Sequence, residues 1–126
     1  MTSDRRVFKL KTFDRWARRV LSDAELCEAA EEVLAGRFEA DLGGGLCKKR
    51  IAAAGRGKSG STRVLIAKQH EAIVFFLVGR QKSDPGTDFS ERQVAVAKII
   101  AKGLQAATQA KLAALMVDGT IKEICR

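Results

Sequence analysis

Residues 63–79 read RVLIAKQHEAIVFFLVG and hold two apolar runs on either side of the polar triplet QHE. The runs Arg63–Lys68 and Ala72–Gly79 are short and rich in β-branched and aromatic residues, which is typical of strands in a buried sheet. The triplet between them fits a tight turn. A further run at Leu46–Ala53 predicts another strand before them. Three strands that follow one another in this way predict an antiparallel meander.

The residues before the meander predict a short strand and a helical hairpin. Val7–Lys11 alternates in polarity and predicts the strand. Thr12 can cap a first helix. The apolar stripe of that helix consists of Phe13, Trp16, Ala17, Val20 and Leu21. The run Ser22-Asp23-Ala24-Glu25 is a capping box, which predicts the start of a second helix that ends near Gly36.

The residues after the meander predict two more helices and a last strand. The run Ser90-Glu91-Arg92-Gln93 is a second capping box and begins a helix to about Leu104. A short helix at Thr108–Val117 and a strand at Ile121–Cys125 follow. We therefore expect residues 1–126 to form one α+β domain, a small antiparallel sheet flanked by an N-terminal helical hairpin and C-terminal helices. Its core is expected to contain Trp16, Leu26, Val33, Val64, Ile66, Phe76 and Val78.

The positive charge of the chain is concentrated in its middle third. The formal net charge is +8, and residues 42–83 carry nine lysines and arginines against one acid, Glu71. A focused positive field attracts polyanions and makes their binding dependent on salt. The clustering favours nucleic acid as the partner. The alternative is a basic surface that only aids solubility.

Nucleotide hydrolysis and membrane insertion find little support in the sequence. The triplet Gly57-Lys58-Ser59 resembles the end of a phosphate-binding P-loop, but position 52 holds alanine where that motif needs glycine, and a strand is predicted to follow instead of a helix. No apolar run approaches the roughly 20 residues that span a bilayer. Met1–Arg6 is polar and leads into no signal-type stretch. We expect a cytoplasmic protein without a membrane partner.

The cysteines and the histidine predict no metal site or other cofactor. Cys27, Cys47 and Cys125 are an odd number and lie far apart, which predicts free buried thiols in a reducing compartment. The single histidine, His70, has no Cys or Asp at ligand spacing, so zinc is not expected.

The run ADLGGGLCKKRIA at residues 40–52, followed by GKSG at 57–60 and by Arg63, resembles the RelE/HigB-like toxins of bacterial type II toxin–antitoxin systems. The resemblance extends from FDRWA at residues 13–17 to LAAL at 112–115, nearly the whole chain. It implies a small antiparallel sheet flanked by helices and a ribosome-dependent mRNA endonuclease (mRNA interferase) that contacts 16S and 23S rRNA. It also implies a small cognate antitoxin of helix-turn-helix type, encoded next to the toxin.

The resemblance further implies where the active site lies. Lys48 and Arg50 match the basic pair of the family, Arg63 matches its strand arginine, and Arg80 or Lys82 matches the basic site after the third strand of the meander. Relatives usually read Lys-Asn-Glu-Arg there and often carry tyrosines near the site. This chain reads KSDP at residues 82–85 and has no tyrosine.

The chemistry can also be considered from the residues themselves. RNA cleavage without a metal proceeds by attack of a 2′-hydroxyl on the adjacent phosphate, and it needs a proton acceptor, a proton donor and cations around the phosphate. One histidine excludes a histidine pair, so lysines, arginines, or groups of the substrate or ribosome must serve. In a strand, Lys48 and Arg50 lie on one face and Lys49 on the other, and Arg63 on the next strand can join the first two. We predict catalytic roles for Lys48, Arg50, Arg63 and Lys82 and RNA-binding roles for Lys49, Arg56, Lys58 and Arg80.

A non-enzymatic function is the alternative. The chain could be a toxin that poisons another target, as ParE-like relatives do with DNA gyrase, or a catalytically inactive RNA-binding relative. The basic pair together with Arg63 favours cleavage, because a gyrase poison needs no phosphate-cleaving pocket.

Overall fold

The computed structural model describes residues 5–52, 61–70 and 72–125, which form one mixed sheet with helices. The described strands are β1 (Arg6–Leu10), β2 (Ala40–Gly43), β3 (Leu46–Ala52), β4 (Ser61–Gln69), β5 (Ile73–Gln81) and β6 (Ile121–Ile124). The described helices are α1 (Lys11–Ala17), α2 (Asp23–Leu34), α3 (Glu91–Gln105) and α4 (Gln109–Val117). This order confirms the predicted α+β class.

The strands are arranged in the order β2-β3-β4-β5-β1-β6. The centre of the sheet is the predicted antiparallel meander of β3, β4 and β5. β1 pairs with β5 in parallel, and β6 pairs with β1 in antiparallel orientation. The parallel pair departs from the all-antiparallel sheet that we expected, because a local pattern does not specify the partner of a strand distant in the chain. β2 was not predicted either, since its sequence, ADLG, is only four residues long and runs into further glycines.

Alternate residues of the central strands enter two separate cores, one on each face of the sheet. On one face, which we call the α2 face, α1 and α2 cover a cluster that includes Val64, Ile66 and Phe76. On the other, the α3 face, α3 and α4 cover a cluster that includes Leu65 and Phe75. The sheet is therefore the middle layer of three.

The core predictions are largely confirmed. Leu26, Val33, Val64, Ile66 and Phe76 are fully buried. Trp16 and Val78 are only partly buried and pack at the edges of the two cores. Trp16 lies across Gly79, where an added Cβ would come within 2.0 Å of the indole ring. This close approach explains why β5 has a glycine at that position.

The helix starts agree with the sequence at the two capping boxes and differ at Thr12. The side chains of Ser22 and Ser90 accept hydrogen bonds from the backbone N–H groups of Glu25 and Gln93, as predicted. α1 begins at Lys11, with no side-chain cap, because it follows β1 without a loop. Within the described residues, no helix is both long and apolar enough to cross a bilayer.

The expectation of three free thiols is wrong for two of them. Cys27 of α2 and Cys125, the residue after β6, form a disulfide across a sequence separation of 98 residues. Their proximity depends on the position of β6 at the sheet edge, which the spacing of the cysteines does not reveal. Cys47 is free and buried as expected, and burial raises the pKa of its thiol to about 11.

Candidate nucleic-acid interface

Three arginines form one row across the meander. Arg50 of β3 is paired in register with Arg63 of β4, and Arg63 is paired with Arg80 of β5. Like charges directly opposite each other on neighbouring strands destabilise a sheet. A row of three therefore indicates a role other than stability, and binding an anion is the role that this arrangement suits.

A cavity of about 110 Å³ lies at this row. It is lined by Arg50, Arg63, Arg80, Gln81 and Lys82. A water molecule takes up about 30 Å³ in the liquid, so the cavity suits a group of a few heavy atoms, such as a phosphate. Within the described part of the chain, no carboxylate forms an ion pair with Arg50, Arg63 or Lys82. These cations are thus available to a ligand.

Arg80 differs from the other two arginines because its guanidinium is engaged by the protein. It is 8% exposed, and its Nη2 donates to the carbonyl oxygens of Asp84, Pro85 and Gly86 at 3.1, 3.2 and 2.8 Å. Its Nη1 donates to the carbonyl oxygen of Asp88. Arg80 therefore holds the loop after β5 in place, and the Arg80 side chain also lines the cavity.

Lys48 lies next to the cavity lining, two residues before Arg50 on the same face of β3. Its Nζ contacts Oδ2 of Asp88 at 2.6 Å, and its side chain is 19% exposed. The hydrogen bond from Lys48 holds the pKa of Asp88 below its usual value. The backbone N–H of Phe89 and the charge of Arg63 act in the same direction, against the effect of burial. Asp88 is therefore an ionised carboxylate between two cations of the cluster.

Lys49 is on the opposite face of the sheet, as strand alternation predicts. It is 8% exposed, and its Nζ contacts Oε1 of Glu32 on α2 at 2.7 Å. This hydrogen bond lowers the pKa of Glu32. The structure does not bring Lys49, a predicted RNA-binding residue, to the cavity.

The other predicted RNA-binding residues, Arg56 and Lys58, lie outside the described residues. The predicted catalytic residues Arg50, Arg63 and Lys82 meet at the cavity, and Lys48 lies beside them. The described residues contain no group of three or more His, Cys, Asp or Glu that is arranged to hold a metal ion. The arginines and the lysine that line the cavity give it the chemical capacity of a cationic hydrogen-bond donor site for a phosphate.

Sequence reasoning missed the acidic member of this cluster and the role of Arg80. Asp88 is far from Lys48 in the chain, and its proximity arises because the loop after β5 turns back toward β3. One signal was available: Asp88 lies two residues before Ser90, the predicted N-cap of α3, so the start of that helix fixes its position. The carbonyl contacts of Arg80 depend on the loop conformation and have no such signal.

Comparison with known proteins supports an assignment at the level of a family. The family described as RelE toxin of RelE / RelB toxin-antitoxin system matches residues 5–124, which is nearly the whole chain. No curated protein matches the chain significantly. Because the family match spans every described strand and helix, including the arginine row, the chain belongs to the RelE toxin family of toxin–antitoxin systems.

Proposed function

We propose that this toxin is a ribosome-dependent mRNA endonuclease (mRNA interferase) whose active site is the cavity at Arg50, Arg63 and Lys82. The observation that carries the proposal is the cross-strand row of arginines, two of which have no carboxylate partner among the described residues. Such a row destabilises the free protein, and an RNA phosphate in the cavity would offset the repulsion between the cations.

The proposed reaction is metal-independent attack of a 2′-hydroxyl on the adjacent phosphate. Arg50 and Arg63 hold the non-bridging phosphate oxygens and stabilise the charge that develops on them, because a guanidinium stays protonated and offers paired donors. Lys82, which is exposed at the end of the cavity, donates the proton to the leaving 5′-oxygen. The acceptor of the 2′-hydroxyl proton is a group of the substrate or ribosome, because Lys48 is paired with Asp88 and Lys82 serves as the donor.

The family and the charge support the partners of this proposal. A cognate antitoxin is implied by membership of the family. As part of the proposal, that antitoxin is a small helix-turn-helix protein, and the substrate is mRNA on the ribosome, next to 16S and 23S rRNA in the cytoplasm. The net charge of +8 suits both rRNA and mRNA.

A non-enzymatic toxin is the second candidate, and two observations favour it. The chain has no tyrosine to stack on a base, and two of its basic residues, Lys48 and Arg80, are engaged within the protein. Under this alternative the toxin binds RNA without cleaving it, or poisons another target such as DNA gyrase.

Induced expression in a bacterial host, followed by mapping of mRNA 5′ ends, tests the proposal. The wild-type toxin should halt growth and create new 5′ ends within reading frames. The double variant Arg50→Ala/Arg63→Ala, at the same protein level, should create none. Growth arrest without new 5′ ends would reject cleavage and support the non-enzymatic candidate.

A further inference from the structure

Asp88 is a carboxylate without a role in the proposed function, yet it contacts two of the basic residues of the site. Its Oδ2 accepts a hydrogen bond from Nζ of Lys48 at 2.6 Å. Its main-chain carbonyl accepts one from the guanidinium of Arg80. A single residue of the loop before α3 therefore joins β3 to β5 on the α3 face.

The position of this carboxylate is fixed by the residues on both sides of it. Oδ1 of Asp88 accepts a hydrogen bond from the backbone N–H of Phe89 at 2.7 Å. Phe89 is 8% exposed and packs in the core of the α3 face, and Ser90 then caps α3. On the other side, Arg80 holds three further carbonyls of the loop. The carboxylate is thus held in place before any substrate binds.

The negative charge of Asp88 also reduces the repulsion among the basic residues around it. The groups that face its carboxylate are the ammonium of Lys48, the N–H of Phe89 and, at longer range, the guanidinium of Arg63. The first of these lowers the pKa of Asp88 most, so the carboxylate stays ionised at neutral pH. It offsets part of the repulsion among the cations, while the cavity at Arg50, Arg63 and Lys82 keeps its positive charge.

We propose that Asp88 is a positioning residue: its carboxylate holds the ammonium of Lys48 at the edge of the cavity, and Arg80 holds the loop that carries Asp88. Ordering a free lysine side chain for the transition state costs conformational entropy, and a fixed partner removes that cost in advance. This inference rests on the proposed function, because it assigns to Lys48 a place in the same site.

A double-mutant cycle in a purified system tests the inference. Cleavage of a short mRNA on programmed ribosomes is measured for the wild type, Asp88→Asn, Lys48→Met and the double variant. Asp88→Asn should lower kcat about two- to fivefold with KM unchanged, and the double variant should be no slower than Lys48→Met alone. Asp88→Glu should restore part of the rate. Asp118→Asn, which removes a carboxylate from the turn between α4 and β6, is the control and should cleave like the wild type.

Two outcomes of the cycle would overturn the inference. In the first, the fold-decrease in kcat of the double variant equals the product of the decreases of the two single variants. Asp88 would then not act through Lys48. A faster rate for Asp88→Asn would mean that the carboxylate competes with the substrate phosphate.

A measurement without RNA separates this inference from the proposed function. In ¹⁵N NMR spectra of the protein alone, the ammonium of Lys48 should give a slowly exchanging signal that disappears in Asp88→Asn and persists in Asp118→Asn. An unchanged Lys48 signal in Asp88→Asn would overturn the inference whatever the activity. If the wild type cleaves no mRNA, the proposed function fails, and the Lys48 signal still decides whether Asp88 holds Lys48.

Discussion

The buried lysines on one face of the central sheet and the arginine row on the other differ in their counter-charges. On the α2 face, Lys9 and Lys49 are each less than a tenth exposed, and each contacts a carboxylate at 2.6 to 2.8 Å. On the α3 face, Arg50 and Arg63 are opposite each other in register, and no described carboxylate forms an ion pair with either. The buried lysines of the α2 face thus have matched charges, and Arg50 and Arg63 of the α3 face have unmatched ones, although Lys48 on the α3 face is paired with Asp88.

This difference separates residues that keep the fold from residues that bind. A buried cation needs its counter-charge because desolvation is costly, and breaking such a pair destabilises the protein. Exposed cations without a partner add little stability and repel each other. Substitutions on the α2 face should therefore alter mainly stability, and substitutions at the arginine row mainly function.

The largest expected loss of stability comes from the matched lysine Lys9. Its Nζ contacts Asp14 at 2.6 Å and Asp23 at 2.8 Å. Lys9→Ala leaves Asp14, which is 7% exposed, with Arg18 as its remaining ion-pair partner, so the free energy of unfolding should fall by about 3 kcal/mol, the low end of the range for a broken buried pair. Urea unfolding measures it. The control is Arg5→Ala, which breaks an exposed pair with Glu31 and should cost less than about 1 kcal/mol. Equal effects would contradict the distinction between buried matched charges and exposed ones.

The disulfide stabilises the α2 face by a covalent route. Under oxidising conditions, Cys27→Ser should lower the free energy of unfolding by about 2 to 4 kcal/mol, because it releases a constraint on the unfolded chain. In the presence of a reductant, the wild type and the variant should unfold alike. The thiol of Cys47 is buried, so it should not replace the lost partner. If the two proteins unfolded at the same urea concentration without reductant, the disulfide would not form in solution.

Acid should weaken the matched charges in a predictable direction. The hydrogen bond from Lys9 is the main cause that lowers the pKa of Asp14 below its ordinary value of 3.8. A carboxylate with a lowered pKa in the folded state stabilises the protein above its ordinary pKa, and the benefit is lost as the pH falls below it. Asp14→Asn should therefore lose less stability than the wild type between neutral pH and pH values below 3.8. Parallel curves of unfolding free energy against pH would show that Asp14 does not contribute.

Local patterns in the sequence predicted much of the fold. Strand alternation and the capping boxes gave β3 to β5 and the starts of α2 and α3, because hydrogen-bonding side chains and apolar periodicity act over a few residues. The parallel partner of β1, the edge strand β2 and the pairing of Cys27 with Cys125 were not predicted. Each of these depends on which distant segments become neighbours after folding.

The candidate site was predicted in part for the same reason. The spacing of Lys48 and Arg50 placed them on one face, and the meander brought Arg63 beside them. The carboxylates that pair with these lysines could not be predicted from the sequence: Glu32 pairs with Lys49, and Asp88 pairs with Lys48. Sequence can thus predict where a strand cation points, but its counter-charge depends on the loops and helices that pack nearby.

The most direct test of the account is the rate of mRNA cleavage on purified ribosomes for two single variants. Arg63 lines the cavity, whereas Lys102 is an exposed lysine in the last turn of α3 and does not line it. Arg63→Ala should slow cleavage by about 10² to 10³-fold, because it removes a donor to the charged transition state. It should unfold at the same urea concentration as the wild type or a higher one, because it relieves repulsion within the row. Lys102→Ala should cleave at the wild-type rate. Equal, mild effects of the two substitutions would mean that the α3 face is a diffuse binding surface without a catalytic cavity.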